Sequence, residues 1–334
     1  ALSITHGGSV DGSLQGSGAL NVNGGTLTVN GSNASLAATT SIASGADVQL
    51  NNTSGLGSGN IVNEGLLALK NAAGALFNSL SGAGETNIAQ NSDVTLLGDN
   101  SDFAGKFSIE NGSTLTASAQ SSLGSADIAN EGLLNLASSD SWLLNNTITG
   151  SGQLNQNGSG VVTLSQQAAQ YSGDTQVNAG GLQLGSSGND VTLSSGNLNI
   201  AKGAVAGGFG GTAGNVNNSG TLQLGSLNPV SVKATADAVR FNVGGNLVNS
   251  GDSRAGGAGA AAGTGGSRAG HRPAAHRGGH HGRRHQRREQ QRPDPGRRRH
   301  RPADAGTHPL PTGSHCWRDA GPAVDARQRP RQHP

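Results

Sequence analysis

The stretch GALNVNGGTLTVNGSNASLAATTSIASGADVQLNN, residues Gly18–Asn52, decides the fold class of this protein. Leu20 and Val22 alternate with Asn, and Leu27 and Val29 alternate with Thr. Asn-Gly and Gly-Gly pairs, which favour tight turns, stand between these runs. Alternation over a few residues between such turns predicts very short strands with one buried side each. We find no 3.6-residue apolar period with caps, so we expect few helices.

A longer repeat decides how these strands are arranged. LGSGNIVNEGLLAL at Leu56–Leu69 recurs as LGSADIANEGLLNL at Leu123–Leu136, which is 67 positions later. SGAGETNI at Ser81–Ile88 recurs as TGSGQLNQ at Thr149–Gln156, 68 positions later. Tandem repeats of short strands favour a coil in which each strand stacks on its equivalent one turn away, because such strands cannot form a stable sheet alone.

The sequence therefore predicts an all-β protein, a parallel β-solenoid over about residues 1–250. Its tandem units span 56–122 and 123–190, each of about three turns at roughly 20 to 25 residues per turn. We expect about ten to twelve turns in total. Stacking at about 4.8 Å favours small aliphatic residues inside, Gly and Asn at corners, and Ser, Thr and Asn outside. Large aromatic residues should rarely fit inside.

A third pair of stretches carries a family resemblance. YSGDTQVNAGGLQL at Tyr171–Leu184 matches FAGKFSIENGSTL at Phe103–Leu115. Together with the residues before it, Gly150–Gly185 resembles the passenger-associated repeat of autotransporters, the proteins of type V secretion. Gln156 departs from that repeat, which usually has Lys there, and the QQAAQ segment is about one residue longer than usual. The matching positions are Gly150, Gly152, Leu154, Gly158, Gly160, Leu164, Tyr171, Gly173, Thr175, Val177, Gly180 and Leu182.

This resemblance implies a right-handed parallel β-helix that is displayed on, or released from, the surface of a Gram-negative cell. It also implies an outer-membrane β-barrel translocator as the chain's own partner, which we expect outside this sequence. We expect an adhesin or a structural stalk, with a host-cell, bacterial or abiotic surface as partner and a glycan or matrix protein as the possible receptor. We expect no cofactor and no catalytic residue.

The composition changes abruptly after Ser250. Up to that residue there are 5 basic and 14 acidic residues, whereas residues 251–334 contain 17 Arg and 6 acidic residues. Nine of the 10 His and nine of the 10 Pro also follow Ser250. A basic segment of such low complexity predicts a disordered tail.

Three hypotheses explain residues 251–334. We favour a frameshift near Gly251–Arg254. Read one base later, His codons give Ile, Thr or Met, and Arg codons give Val, Ala, Gly, Asp or Glu. The shifted reading therefore resembles the first 250 residues in composition. A native disordered extension is the second hypothesis. In the third, which we favour least, the tail binds nucleic acid through Arg or a metal through His280, His281 and His285; we do not expect nucleic acid as a partner.

The first 250 residues offer few candidates for catalysis. Some β-helices act on polysaccharides with clustered carboxylates, and Asp99 and Asp102 in SDVTLLGDNSD are the nearest such pair. We interpret both as turn residues, since only one Arg and one His lie in this part of the chain. Trp142 suits either core packing, which we favour, or sugar stacking. GGFGGTAGN at Gly207–Asn215 predicts a protruding flexible loop.

Overall fold

The structure is a computed structural model of the 334-residue chain, and it describes residues 1–227 and 239–255. These residues form a parallel β-solenoid of about 11 turns, which confirms the predicted fold class. They all belong to one compact unit, Ala1–Gly270, and the second unit, His271–Pro334, contains none of them. Among them are two 3-10 helices, Gln120–Ser122 and Gln167–Ala169. No described helix is long and apolar enough to cross a bilayer.

The strands of the solenoid lie on three faces, which the chain visits in the order 1, 2, 3, and all pairs between strands of successive turns are parallel. Face 1 consists of β1 (Leu2–Ile4), β3 (Ala19–Val22), β5 (Thr39–Ile42), β7 (Ile61–Asn63), β10 (Leu80–Ser81), β17 (Trp142–Leu144), β20 (Val161–Leu164), β22 (Gly181–Leu184), β25 (Val205–Gly208), β28 (Thr221–Leu224) and β31 (Asp252–Ala255). Face 2 consists of β2 (Gly8–Val10), β4 (Gly25–Val29), β6 (Ala46–Leu50), β8 (Leu66–Lys70), β11 (Glu85–Ala89), β13 (Lys106–Ile109), β15 (Asp127–Asn130), β18 (Ile148–Thr149), β23 (Val191–Leu193), β26 (Gly210–Thr212) and β29 (Phe241–Val243). Face 3 consists of β9 (Ala73–Leu76), β12 (Asp93–Leu96), β14 (Thr114–Ala117), β16 (Leu133–Leu136), β19 (Gln153–Gln156), β21 (Thr175–Val177), β24 (Asn197–Ile200), β27 (Asn215–Asn218) and β30 (Leu247–Asn249).

Two of the three faces are interrupted. The sheet of face 1 stops after β10 and resumes at β17, and that of face 2 stops after β18 and resumes at β23. A 3-10 helix lies in each interruption: Gln120–Ser122 contacts β17, and Gln167–Ala169 contacts both β18 and β23. At the interruption of face 1 the turns remain hydrogen-bonded to each other: the backbone N–H of Asn100 donates to the carbonyl of Ser121 at 2.9 Å.

Four aromatic side chains are buried near these interruptions, which corrects the prediction that aromatics rarely fit inside. Phe103, Phe107 and Tyr171 are fully buried, and Trp142 is 7% exposed. The ring centroids of Phe103 and Phe107 lie 5.0 Å apart. Elsewhere Leu, Val and Ile line the interior as predicted. Phe103 and Tyr171 lie outside the strands, whereas Phe107 and Trp142 belong to β13 and β17.

The 67-residue repeat does not close after a whole number of turns. Three turns lead from Leu66 through Glu85 and Lys106 to Asp127, which lies only 61 positions along the chain. The repeat counterpart of Leu66 is Leu133, which therefore lies on the next face. In the same way β11 on face 2 corresponds to β19 on face 3. Each unit spans about three turns and a third, instead of the expected three.

The glycine-rich stretch Gly207–Asn215 forms parts of three strands, so the predicted protruding loop is wrong. Gly207 and Gly208 end β25, and Gly210 and Gly211 begin β26. All four glycines are buried. A Cβ on Gly210 would lie 2.1 Å from the carbonyl oxygen of Val191 in the turn below. Glycine is needed here because the backbones of successive turns approach too closely for a side chain.

The ladder of face 1 reaches into the first residues after Ser250. β31 pairs with β28 in parallel, and Arg254 Nε donates to Gln223 Oε1 at 2.9 Å. This strand covers part of the segment Gly251–Arg254 in which we placed the frameshift. The remaining tail residues lie outside the described residues, and with them the candidate ligands His280, His281 and His285.

Candidate functional surface

Buried asparagines fasten the corners of the solenoid. Asn63, Asn130 and Asn218 each end a strand, one at each of the three corners, and each is at most 1% exposed. The side-chain Nδ2 of Asn130 donates to the carbonyl of Gln153 in the next turn at 3.0 Å. Its Oδ1 accepts from the N–H of Gly132 at 3.2 Å. Since Asn63 and Asn218 make the equivalent bonds, an Asn-x-Gly sequence marks these corners.

The residues that match the autotransporter repeat occupy corner and core positions. Its aliphatic members, Leu154, Leu164, Val177 and Leu182, point into the core. Its glycines lie against the backbone of the preceding turn: a Cβ on Gly173 would lie 2.0 Å from the carbonyl oxygen of Gly152. The same close approach holds for Gly150, Gly152, Gly158, Gly160 and Gly180. These positions therefore serve stacking.

Tyr171 and Thr175 form the polar part of the same motif. The two hydroxyl oxygens lie 2.5 Å apart, and the Thr175 hydroxyl donates to Ser195 Oγ in the next turn at 2.9 Å. All three side chains are buried. Burial raises the pKa of Tyr171 far above its ordinary value, because a phenolate would lose its hydration. The phenol is a structural group, placed beside the interruption of face 2.

Asp99 and Asp102 lie in an exposed turn between faces 3 and 1. Asp99 Oδ1 accepts hydrogen bonds from the Ser101 hydroxyl at 2.5 Å and from the Ser101 N–H at 3.1 Å. These bonds hold the pKa of Asp99 below its ordinary value, whereas a general acid needs a raised pKa. The equivalent positions in the other unit are Gln167 and Gln170, which carry no carboxylate. The geometry is that of an Asx turn.

Face 3 presents an outward row of amides. Asn135 donates to Thr116 at 3.3 Å, and Asn155 donates to Asn135 at 3.0 Å, so each side chain binds the one in the turn below. Further along the face Asn217 donates to Asn199 at 2.7 Å. We call this surface the amide ladder. Stacked amides can pair with one another, whereas stacked like charges would repel.

Charged side chains on the solenoid are few and scattered. Lys106 lies on face 2 between Glu85 and Asp127 of the adjacent turns, and its Nζ is 3.7 Å from Glu85 Oε1. This is the one ion pair among residues 1–227 and 239–255. The same residues contain no group of three or more His, Cys, Asp or Glu side chains suited to a metal.

An open cleft of about 590 Å³ lies at the interruption of face 1. Its walls come from three successive turns: Ser101, the segment Ala119–Ser125 with the first 3-10 helix, and the segment Ser138–Trp142. Sequence reasoning missed this cleft, because only the missing strand creates it. The sequence signal for the missing strand is the loss of apolar alternation in the serine-rich segments around Gln120 and Ser138.

Three known proteins are similar to this chain. The uncharacterized lipoprotein YdeK of Escherichia coli K12 is 44% identical over 217 residues, which cover 65% of this chain and 16% of that protein. The uncharacterized protein YuaQ of the same strain is 42% identical over 249 residues, or 75% of this chain and 18% of that protein. The adhesin BmaC autotransporter of Brucella suis is 29% identical over 273 residues, or 74% of this chain and 8% of that protein.

The chain thus spans less than a fifth of the length of each of these relatives. No family model matches it, and no solved structure does. The similarity to an autotransporter adhesin and the β-solenoid fold together fit an autotransporter passenger.

Proposed function

We propose that this chain is part of an autotransporter passenger that acts at the surface of a Gram-negative cell as a non-catalytic adhesin or stalk. The observation that carries the proposal is the stack of short parallel strands, in which the residues that resemble the autotransporter repeat occupy corner and core positions. Two relatives add support, one named a lipoprotein and one an autotransporter adhesin. A solenoid of this kind presents a long, regular surface to a partner.

The partners follow from this proposal. The chain's own outer-membrane translocator would deliver it, and a glycan or matrix protein on a host cell, another bacterium or a surface would be bound. The proposed role as adhesin or stalk requires no cofactor.

The location is tested with an antibody raised against the purified chain. Intact cells of the bacterium that encodes it should be stained, and protease added outside should remove the stain. Staining that requires permeabilised cells would overturn the proposal.

Adhesion is tested with fluorescent beads that carry the full chain. Flow cytometry should show binding to host epithelial cells or to immobilised matrix protein, and free chain should compete. Beads that carry an unrelated protein of similar net charge are the control. If no surface is bound, the adhesin role is excluded and the stalk role remains.

The non-catalytic part is tested on a panel of polysaccharides. We expect no reducing ends or unsaturated products from the chain, and no change when Asp99→Asn and Asp102→Asn are combined. Turnover that this double variant abolishes would show an enzyme.

A further inference from the structure

The cleft at the interruption of face 1 contains polar side chains that have no partner within the fold. Gln120, Ser121, Ser125 and Asp140 all line it, and their side chains form no hydrogen bond with any other residue in the described parts of the chain. Gln120, Ser125 and Asp140 are exposed and Ser121 is partly exposed. By contrast, the amides of the amide ladder are paired with one another. The cleft therefore concentrates free donors and acceptors in one concave place.

The chemistry of the lining selects the kind of ligand. It offers hydroxyls, one amide and one carboxylate, and within the described parts of the chain no Lys, Arg or His lines it. A carboxylate accepts hydrogen bonds from hydroxyls and repels phosphate, sulfate and carboxylate groups. A ligand rich in hydroxyl groups and without negative charge fits this set.

Trp142 supplies an apolar part to the same cleft. Trp142 is 7% exposed, and among the described residues it is the one aromatic residue in the lining. It is the inward residue at the start of β17, just where the sheet of face 1 resumes. A cleft of about 590 Å³ lies within the range of small-ligand sites, and binding sites combine apolar walls with a few placed polar groups.

We propose that this cleft binds a neutral saccharide of two or three sugar units. Asp140 and Gln120, from two successive turns, would bind sugar hydroxyls, and the serine hydroxyls would complete the contacts. Trp142 would support the ring from the buried side. The inference rests on the proposed function as an adhesin for its biological meaning, and it names the chemical class of the receptor.

The test uses the full chain with Trp317→Phe, which leaves Trp142 as the single tryptophan. Its fluorescence is titrated with maltotriose, cellotriose, tri-N-acetylchitotriose and sialyllactose. We expect a saturable change with at least one neutral trisaccharide, with Kd on the order of 1 mM or below. Sialyllactose should bind more weakly.

A matched pair of variants locates the binding. Gln120→Ala combined with Asp140→Ala should weaken it about tenfold or more, since hydrogen bonds to a charged group are lost. Asp190→Ala, at another exposed turn, should leave it unchanged, and circular dichroism should show all variants folded. No saturation with any neutral trisaccharide, preference for sialyllactose, or an unaffected double variant would overturn the inference.

This result can be told apart from failure of the proposed function. If beads bind cells while no trisaccharide binds the chain, the cleft inference fails and the adhesin proposal stands. If a trisaccharide binds while beads bind no surface, the cleft inference stands and the adhesin proposal fails.

Discussion

At the scale of single residues, the polar groups inside this solenoid join one turn to the next. Asn130 binds backbone groups on both sides of its corner, and Tyr171 passes a hydrogen bond through Thr175 to Ser195. A buried group that loses its partner costs more than an exposed one, so these residues should dominate the response to substitution.

Asn130→Ala should lower the free energy of unfolding by about 1–3 kcal/mol, because it removes the bond to the Gln153 carbonyl and leaves the part-buried Gly132 N–H without its acceptor. Asn145→Ala is the matched control: Asn145 is exposed, and that change should stay within about 0.5 kcal/mol. Urea unfolding followed by circular dichroism measures both. Equal effects of the two variants would show that the corner bonds contribute nothing.

Tyr171 is the single tyrosine of the chain, so absorbance at 295 nm reports its ionisation alone. Its folded pKa is raised from the ordinary value of 10.0, so the folded chain keeps a proton that the unfolded chain loses. Stability should therefore be intact below pH 10 and fall as the pH rises above it. Phenolate should form only as the solenoid unfolds. In urea it should form near pH 10, and the same titration in the folded chain would contradict burial.

At the scale of elements, the alternation around Leu20 and Leu27 predicts short strands with aliphatic residues inside, and the tandem repeat predicts that they stack in parallel; the structure confirms both. Each missed feature has its own physical cause. A sequence repeat of 67 residues does not give the number of residues in one turn. The sequence therefore does not predict that each unit is shifted by one face. The run Gly207–Gly211 was misread because glycine serves both flexible turns and tightly stacked strands. The cleft was hidden because it depends on an absent strand.

Gly210→Ala tests the tight stacking of β26 on β23. Gly210 and Gly188 both have positive φ, +110° and +80°, so alanine at either should cost about 1 kcal/mol of backbone strain. Only at Gly210 does a Cβ meet the carbonyl of Val191; around Gly188 no atom lies within 4 Å. The clash should add about 1–3 kcal/mol. Similar midpoints in urea for both variants would contradict stacked strands.

At the scale of the whole molecule, stability should vary along the stack. β30 is exposed at every residue, with Leu247 and Val248 at 49% and 60%, whereas β19 alternates between buried and partly buried residues. Local opening is easiest where few apolar groups are buried. Backbone amides of β30 should exchange with deuterium much faster than those of β19, and the exposed apolar pair should favour association. A protected β30 in a strictly monomeric protein would contradict this.

The most direct test of the solenoid with shifted units is a pair of distances measured between nitroxide labels. Asn87 stacks through Ser108 and Ala129 on Thr149, three turns away on face 2. Its repeat counterpart is Asn155, which lies on face 3. Labels at positions 87 and 149 should be about 14 Å apart, three times the strand spacing, and labels at 87 and 155 should be farther apart. A shorter distance for 87 and 155 would contradict the account.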